Sequence, residues 1–291
     1  MDVLPIISGI SAAVFFGISD YLVTMPSRKL GQYRSVAYSM LFSALTILPV
    51  VLIMGIAKGI TPFDFAMGMA ASICLFIGIL LADTAFRYGN LSITAPIVNA
   101  YPGVIVLGAV FLLGDKLLPV ELLGICMVIA GIVLVSMKFS ALGKRKGLFA
   151  AGIGAAILSS FFLGVVGIFS GVYTALIGFA LFSFMQRSTS SVLGFVSVKA
   201  AGQEFWPRKD IRGMLPQLAG AGFADGIGVL SVLYAIFVNS ANLPIVGTLG
   251  GFAGGISVIA ALVMLKEKPE RNQWLGIILA VLGAVLLSYF S

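Results

Sequence analysis

Apolar residues run through this chain in long unbroken stretches, separated by short polar or basic gaps. A helix needs roughly 20 residues to cross the hydrocarbon of a bilayer, and each stretch is about that long. The pattern predicts ten membrane-spanning helices at 3–22, 33–57, 63–86, 90–113, 121–139, 147–169, 173–198, 213–238, 242–265 and 273–290. The region 147–198 holds two of them, with a turn expected near Phe169 to Tyr173. A membrane β-barrel would alternate apolar and polar residues over strands of about 10 residues, and these runs do not.

Composition agrees with lipid as the solvent. Hydrophobic residues make up 60% of the 291 and charged residues 10%, with a mean hydropathy of +1.12. Soluble domains carry roughly 25% charged residues. The net charge of +7 does not point to nucleic acid, because the Lys and Arg sit in the gaps, where they set orientation and meet headgroups. Cys74 and Cys126 lie singly inside apolar runs and the chain has no His, so no disulfide framework, metal site or cofactor is expected. The stretch 3–22 lacks a basic start and a small-residue cleavage site, and reads as a permanent helix rather than a signal peptide.

The chain also repeats itself. Shifting by 152 residues lays Asn90-Leu91 on Asn242-Leu243, Asp115-Lys116 on Glu267-Lys268, Gly124 on Gly276 and Gly131 on Gly283. Arg34-Ser35 falls opposite Arg187-Ser188 with one residue of slippage. The expected organisation is two five-helix units, 1–140 and 141–291. An odd number of helices per unit makes the second enter from the opposite face, giving inverted repeats.

These residues carry a resemblance. Arg87-Tyr88-Gly89-Asn90-Leu91, Pro102, Gly114-Asp115-Lys116, Gly124 and Gly131, echoed by Asn242, Glu267-Lys268, Gly276 and Gly283, resemble the EamA-type ten-helix branch of the drug/metabolite transporter superfamily. Arg34 and Arg187 are similar to the arginine such proteins carry early in the second helix of each repeat. The resemblance covers the whole chain and implies a transporter with both termini inside. Its substrates range over amino acids, sugars, nucleotide sugars, choline-like cations and drugs. Phe15-Phe16-Gly17-Ile18-Ser19 replaces a common Trp-Gly pair, and Gly250-Gly251-Phe252-Ala253 stands where a proline is common. Both departures fall where the family lines its cavity. The gaps after helices 1, 3, 5, 7 and 9 hold nearly all the basic residues, so the positive-inside rule instead puts the termini outside. Sidedness stays open between the two.

Seven residues are candidates for substrate binding or coupling. Asp225 lies mid-helix, where a charge costs about 2.5–3.5 kcal/mol on the translocon scale, so it must face protein or water. It reads as a proton carrier, a counter-ion for a cationic substrate or a cation ligand, or as the partner of a buried base. Arg187 is that base, or a fork for a substrate carboxylate. Asp20 and Asp83 lie near helix ends on one face. Asp83 is expected to pair with Arg87 four residues on, and Asp20 has Arg28 or Lys29 across the turn; the alternative is an acidic vestibule for cations. Asn99 and Tyr101 lie in Asn99-Ala100-Tyr101-Pro102-Gly103, where the mid-membrane proline frees a backbone carbonyl and the glycine lets a partner approach, so both are placed to bond a substrate; Thr248 sits among glycines whose GxxxG pairs predict close helix packing.

The leading function is a secondary transporter in the plasma membrane, moving an amino acid or related metabolite, or a drug-like cation, by alternating access, with proton coupling through Asp225. The partners expected are the lipid bilayer and a small solute, with no nucleic acid, as a monomer or a homodimer through helices 5 and 10. A channel, a lipid scramblase or an intramembrane enzyme is the alternative. No phosphate loop is present, and an enzyme would need convergent catalytic groups that are not visible.

Overall fold

The computed structural model describes residues 3–55, 59–108, 119–136, 148–206, 211–239, 243–264 and 270–290. They form helices α1 (Val3–Leu30), α2 (Gln32–Met54), α3 (Pro62–Tyr88), α4 (Leu91–Val98), α5 (Tyr101–Gly108) and α6 (Pro119–Ser136). The second half supplies α7 (Leu148–Ile177), α8 (Phe179–Ala200), α9 (Ile211–Val238), α10 (Leu243–Gly250), α11 (Ala253–Met264) and α12 (Arg271–Phe290). Five of the described helices are long and apolar enough to cross a membrane: Leu4–Leu30, Gln32–Met54, Pro62–Tyr88, Gly152–Ile177 and Ile211–Val238. Helix α8 carries the polar run Gln186 to Ser191, and predicted helices 4 and 9 are each broken in two.

The breaks fall at one place in the repeat. Helix α4 ends at Val98 and α10 at Gly250, 152 residues apart, leaving Asn99-Ala100 and Gly251-Phe252 as the two interruptions. In the first half Pro102 has no N–H for the carbonyl of Val98. In the second half the break comes with Gly250 and Gly251, without a proline.

The turn expected at Phe169 to Tyr173 lies further on. Helix α7 runs through it to Ile177, and the chain turns at Gly178 with φ 87°, as it turns at Gly31 with φ 90° between α1 and α2. Only glycine enters this backbone region freely, so the turn waits for it. The two turns are 147 residues apart, not 152 or 153. The alignment of Arg34 with Arg187 is therefore corrected. Arg34 starts α2, where its Nε donates to Glu204 O at 2.8 Å, whereas Arg187 lies two turns inside α8.

Helix α3 starts on a capping box. Thr61 Oγ1 accepts from the Asp64 N–H at 3.1 Å, the Asp64 carboxylate accepts from the Thr61 N–H, and Pro62 fills the first turn. Thr61→Ala should lower stability by about 1 kcal/mol. The readout is thermal unfolding in detergent, and an unchanged midpoint would show that the cap contributes nothing.

The halves interlock. Helix α1 packs on α9, just as α7 packs on α3, and α2 packs on α8 between them. Glycines set the closest crossings. A Cβ on Gly222 of α9 would stand 2.3 Å from Ser39 O of α2, and one on Gly194 of α8 would stand 2.8 Å from Ala37 Cα. Of the predicted GxxxG residues, Gly254 does pack tightly, since a Cβ on it would stand 2.8 Å from Pro96 Cα, while a Cβ on Gly255 would meet open space. Helices α6 and α12, which correspond to predicted helices 5 and 10, lie against each other, and Asn272 Nδ2 donates to Leu134 O at 3.0 Å. Large apolar side chains such as Leu52, Ile53 and Val263 stay mostly exposed, as lipid-facing residues do.

Candidate functional site

A cavity opens between the halves. Helix α1 brings Phe16, Ser19 and Asp20 to it, and α3 brings Leu75, Ile79, Asp83 and Phe86. Asn99 comes from the break after α4, and Tyr101 starts α5. The second half adds Leu163, Val166 and Ser170 from α7, Gln186 and Arg187 from α8, Asp225 and Val229 from α9, and Gly247 from α10. The lining is mostly apolar with a few polar groups, as small-molecule sites are.

Asp225 and Arg187 form a buried ion pair. Arg187 Nε donates to Asp225 Oδ2 at 2.9 Å and Nη2 to Oδ1 at 3.2 Å. Ser43 Oγ of α2 adds a bond to Oδ2 at 2.6 Å. Both carboxylate oxygens are thus engaged. Arg187 Nη1 donates to Gln186 Oε1 at 3.0 Å, so its second edge is partly taken as well. Bidentate geometry and a third donor are what a low-dielectric site requires to hold two charges.

Asp20 is held differently. Its Oδ2 accepts from Asn99 Nδ2 at 2.8 Å and lies 3.1 Å from Ser257 Oγ, whose single proton is shared with Ala253 O. The expected partners Arg28 and Lys29 play no part in it. Arg28 instead reaches the end of α3, donating to Phe86 O and Gly89 O at 3.0 Å each. These are carbonyls that a helix terminus leaves unsatisfied. The Asp20–Asn99–Ser257 knot joins α1, the α4–α5 break and α11.

Asp83 corrects the sequence reading. It is only 2% exposed and does not pair with Arg87. Arg87 Nη1 donates to Gln32, and its guanidinium lies 5.1 Å from the centre of the Tyr88 ring. Asp83 sits among the buried residues of α3 beside Ala82 and Phe86, and its short side chain stays there. The long Arg87, in the last turn, reaches the helix end instead. Asp83 Oδ2 has no hydrogen-bond partner, with Ser35 and Asp20 its polar neighbours.

Tyr101 lines the cavity with its hydroxyl close against Gly250 at the other break. Thr248 falls in α10, with its side chain outside the described residues. Asn242, Asp115, Lys116, Glu267 and Lys268 also lie outside them. Three participants were missed from the sequence: Ser43, Ser257 and Gln186. Ser35, Ser39 and Ser43 recur every fourth residue on α2, one polar stripe in an apolar helix, and this was the available signal for Ser43. Gln186 adjoins Arg187 in the same run. Ser257 carried no such mark. Among the described residues, no group of three His, Cys, Asp or Glu side chains is placed to hold a metal.

Comparison with known proteins fixes the relationship. The profile of the EamA-like transporter family matches residues 3–137 and again 150–289. No curated protein matches the chain. A solved structure titled only "Crystal structure of protein" superimposes with a TM-score of 0.73 at 17% identity, covering 97% of this chain and 96% of that one. At that identity the likeness speaks to fold alone. The all-α fold, its apolar outer surface and the twice-matched family profile make this a multi-pass integral membrane protein, and the chain belongs to the EamA-like transporter family.

Proposed function

We propose that this protein is a secondary active transporter of a small organic solute, working by alternating access in the plasma membrane. The observation that carries the reading is the cavity, which takes its lining from both halves beside two broken helices at one repeat position. Broken helices at the midplane of inverted repeats are where such carriers bind their cargo. In this reading the protein spans the membrane ten times, in two inverted units, 1–140 and 141–291. It works as a monomer or as a homodimer through the outer faces of α6 and α12. Asn99, Tyr101 and Thr248 sit at or beside the breaks, where closing one side would move them.

A coupling proton has a better address at Asp20 than at Asp225. Protonating Asp225 would break an ion pair to Arg187. Protonating Asp20 disturbs only neutral donors, and those donors belong to the α4–α5 break and to α11. Charge at Asp20 is thereby linked to the geometry of the elements that must move.

The test is reconstitution in liposomes with a labelled solute found by ligand screening. A carrier shows faster exchange when unlabelled solute waits on the far side. A channel or scramblase shows no such acceleration, and that outcome would retire the carrier reading. Asp20→Asn should keep exchange but lose uphill accumulation driven by a proton gradient. Accumulation that survives in this variant would move the coupling elsewhere.

A further inference from the structure

The cavity has an imbalance of charge. Asp20, Asp83 and Asp225 line it against Arg187, their one basic counterpart among the described lining residues. The Arg187–Asp225 pair cancels itself, which leaves two acidic side chains with no basic partner among the described lining residues. Of these, Asp83 is buried with Oδ2 unpartnered. A carboxylate held that way in low dielectric is costly unless a cation or a proton joins it.

A second orphan stands in the same cavity. Gln186 is 1% exposed, and its Nε2 has no partner. Its orientation is fixed by chemistry. Arg187 can only donate, so Gln186 must turn Oε1 toward it and Nε2 away. The site therefore presents an unanswered acceptor at Asp83 and an unanswered donor at Gln186. The same cavity is lined by apolar side chains such as Leu75 and Val166, and by the aromatic rings of Phe16 and Phe86. Aromatic faces favour a cation beside them.

We propose, building on the transporter reading, that the cargo is an organic ammonium ion of net positive charge that also bears a neutral hydrogen-bond acceptor. The ammonium lies at Asp83, within the field of Asp20. The acceptor lies at Gln186 Nε2, and the apolar body rests on α3 and α7. A free carboxylate on the cargo is disfavoured, because one edge of Arg187 is taken by Asp225 and the other partly by Gln186, and the other acidic groups of the lining, Asp20 and Asp83, offer it no counter-charge.

Equilibrium binding to the purified full-length protein at neutral pH tests this with four probes sharing a phenyl body. They are phenylalaninol (cation with a hydroxyl), phenethylamine (cation alone), phenylalanine (zwitterion) and 3-phenylpropanol (neutral). Phenylalaninol should bind best, by about tenfold or more over phenylalanine and 3-phenylpropanol, since a charge-assisted bond is at stake. Phenethylamine should fall between, and Gln186→Leu should remove its deficit. Asp83→Asn should weaken both amines by about tenfold while leaving 3-phenylpropanol unchanged. The wild-type series needs no variant to fold. Equal binding of cation and zwitterion, saturable binding of none of the probes, or a response to sodium chloride alone would overturn the proposal. Amine binding without counterflow would instead remove the transporter reading and leave the cation site standing.

Discussion

Arg187→Met should destabilise the protein by about 3–5 kcal/mol, the largest loss expected from any single side chain in the cavity. The reason is what stays behind. Asp225 is 8% exposed near the middle of α9, and without the guanidinium it keeps only the Ser43 hydroxyl as a donor. Water cannot replace the charge at that depth. Asp225→Asn should be destabilising for the converse reason, since the guanidinium would then have Gln186 and a neutral amide for company. The double variant Arg187→Met/Asp225→Leu should recover most of the loss, because a buried ion pair is itself often no better than an apolar pair. The check is a double-mutant cycle on unfolding midpoints in detergent or bicelles. If each single variant were as stable as the parent, the pair would not hold α8 to α9. If the double variant kept stability but lost transport, the pair would be retained for function.

Much of this architecture is readable without coordinates, and the exceptions share a cause. The placement of the helical stretches follows from the apolar runs, because lipid imposes a length that sequence must meet, although the structure divides two of the ten and five described helices are long and apolar enough to span. The pairing of Arg187 with Asp225 follows from cost, since two opposite charges in apolar helices have few other partners. Asp83 did not follow. Its expected partner Arg87 is one turn away, and sequence spacing cannot say that a short side chain turns inward while a long one reaches the helix end. The breaks were half legible. Pro102 marks the first, but nothing of the kind marks the second, and the repeat offset is what joins them. Arg34 and Arg187 show the opposite failure. A residue-by-residue match suggested equivalence, while the glycine turns at Gly31 and Gly178 put the two arginines at different depths. An insertion inside a half shifts register, and only backbone geometry locates it.

Gly222→Ala should cost about 1–3 kcal/mol or more, although it adds one methyl group. The added Cβ would stand 2.3 Å from Ser39 O, 2.6 Å from Phe42 Cβ and 2.8 Å from Ser43 N. Two of these contacts are backbone, so no side chain can swing away to make room, and α9 must move off α2. A Cβ on Gly226, one turn on, would stand 2.9 Å from Thr46 Cβ, which extends the same seam. Between the two glycines sits Asp225, and Ser43 on α2 donates to it at 2.6 Å. Separating the helices therefore lengthens that bond as well as opening a packing gap. Small residues let membrane helices approach closely, because packing and interhelical hydrogen bonds hold them where no hydrophobic force operates. Gly154→Ala is the control. A Cβ there meets nothing within 4 Å, so the same chemical change should leave stability unchanged or slightly raised. Thermal unfolding of the two variants in parallel decides it. Equal midpoints would mean that the α2–α9 seam tolerates a methyl group. A loss confined to Gly222→Ala, accompanied by weaker binding in the cavity, would show that the closeness of α2 and α9 is what places Ser43 on Asp225.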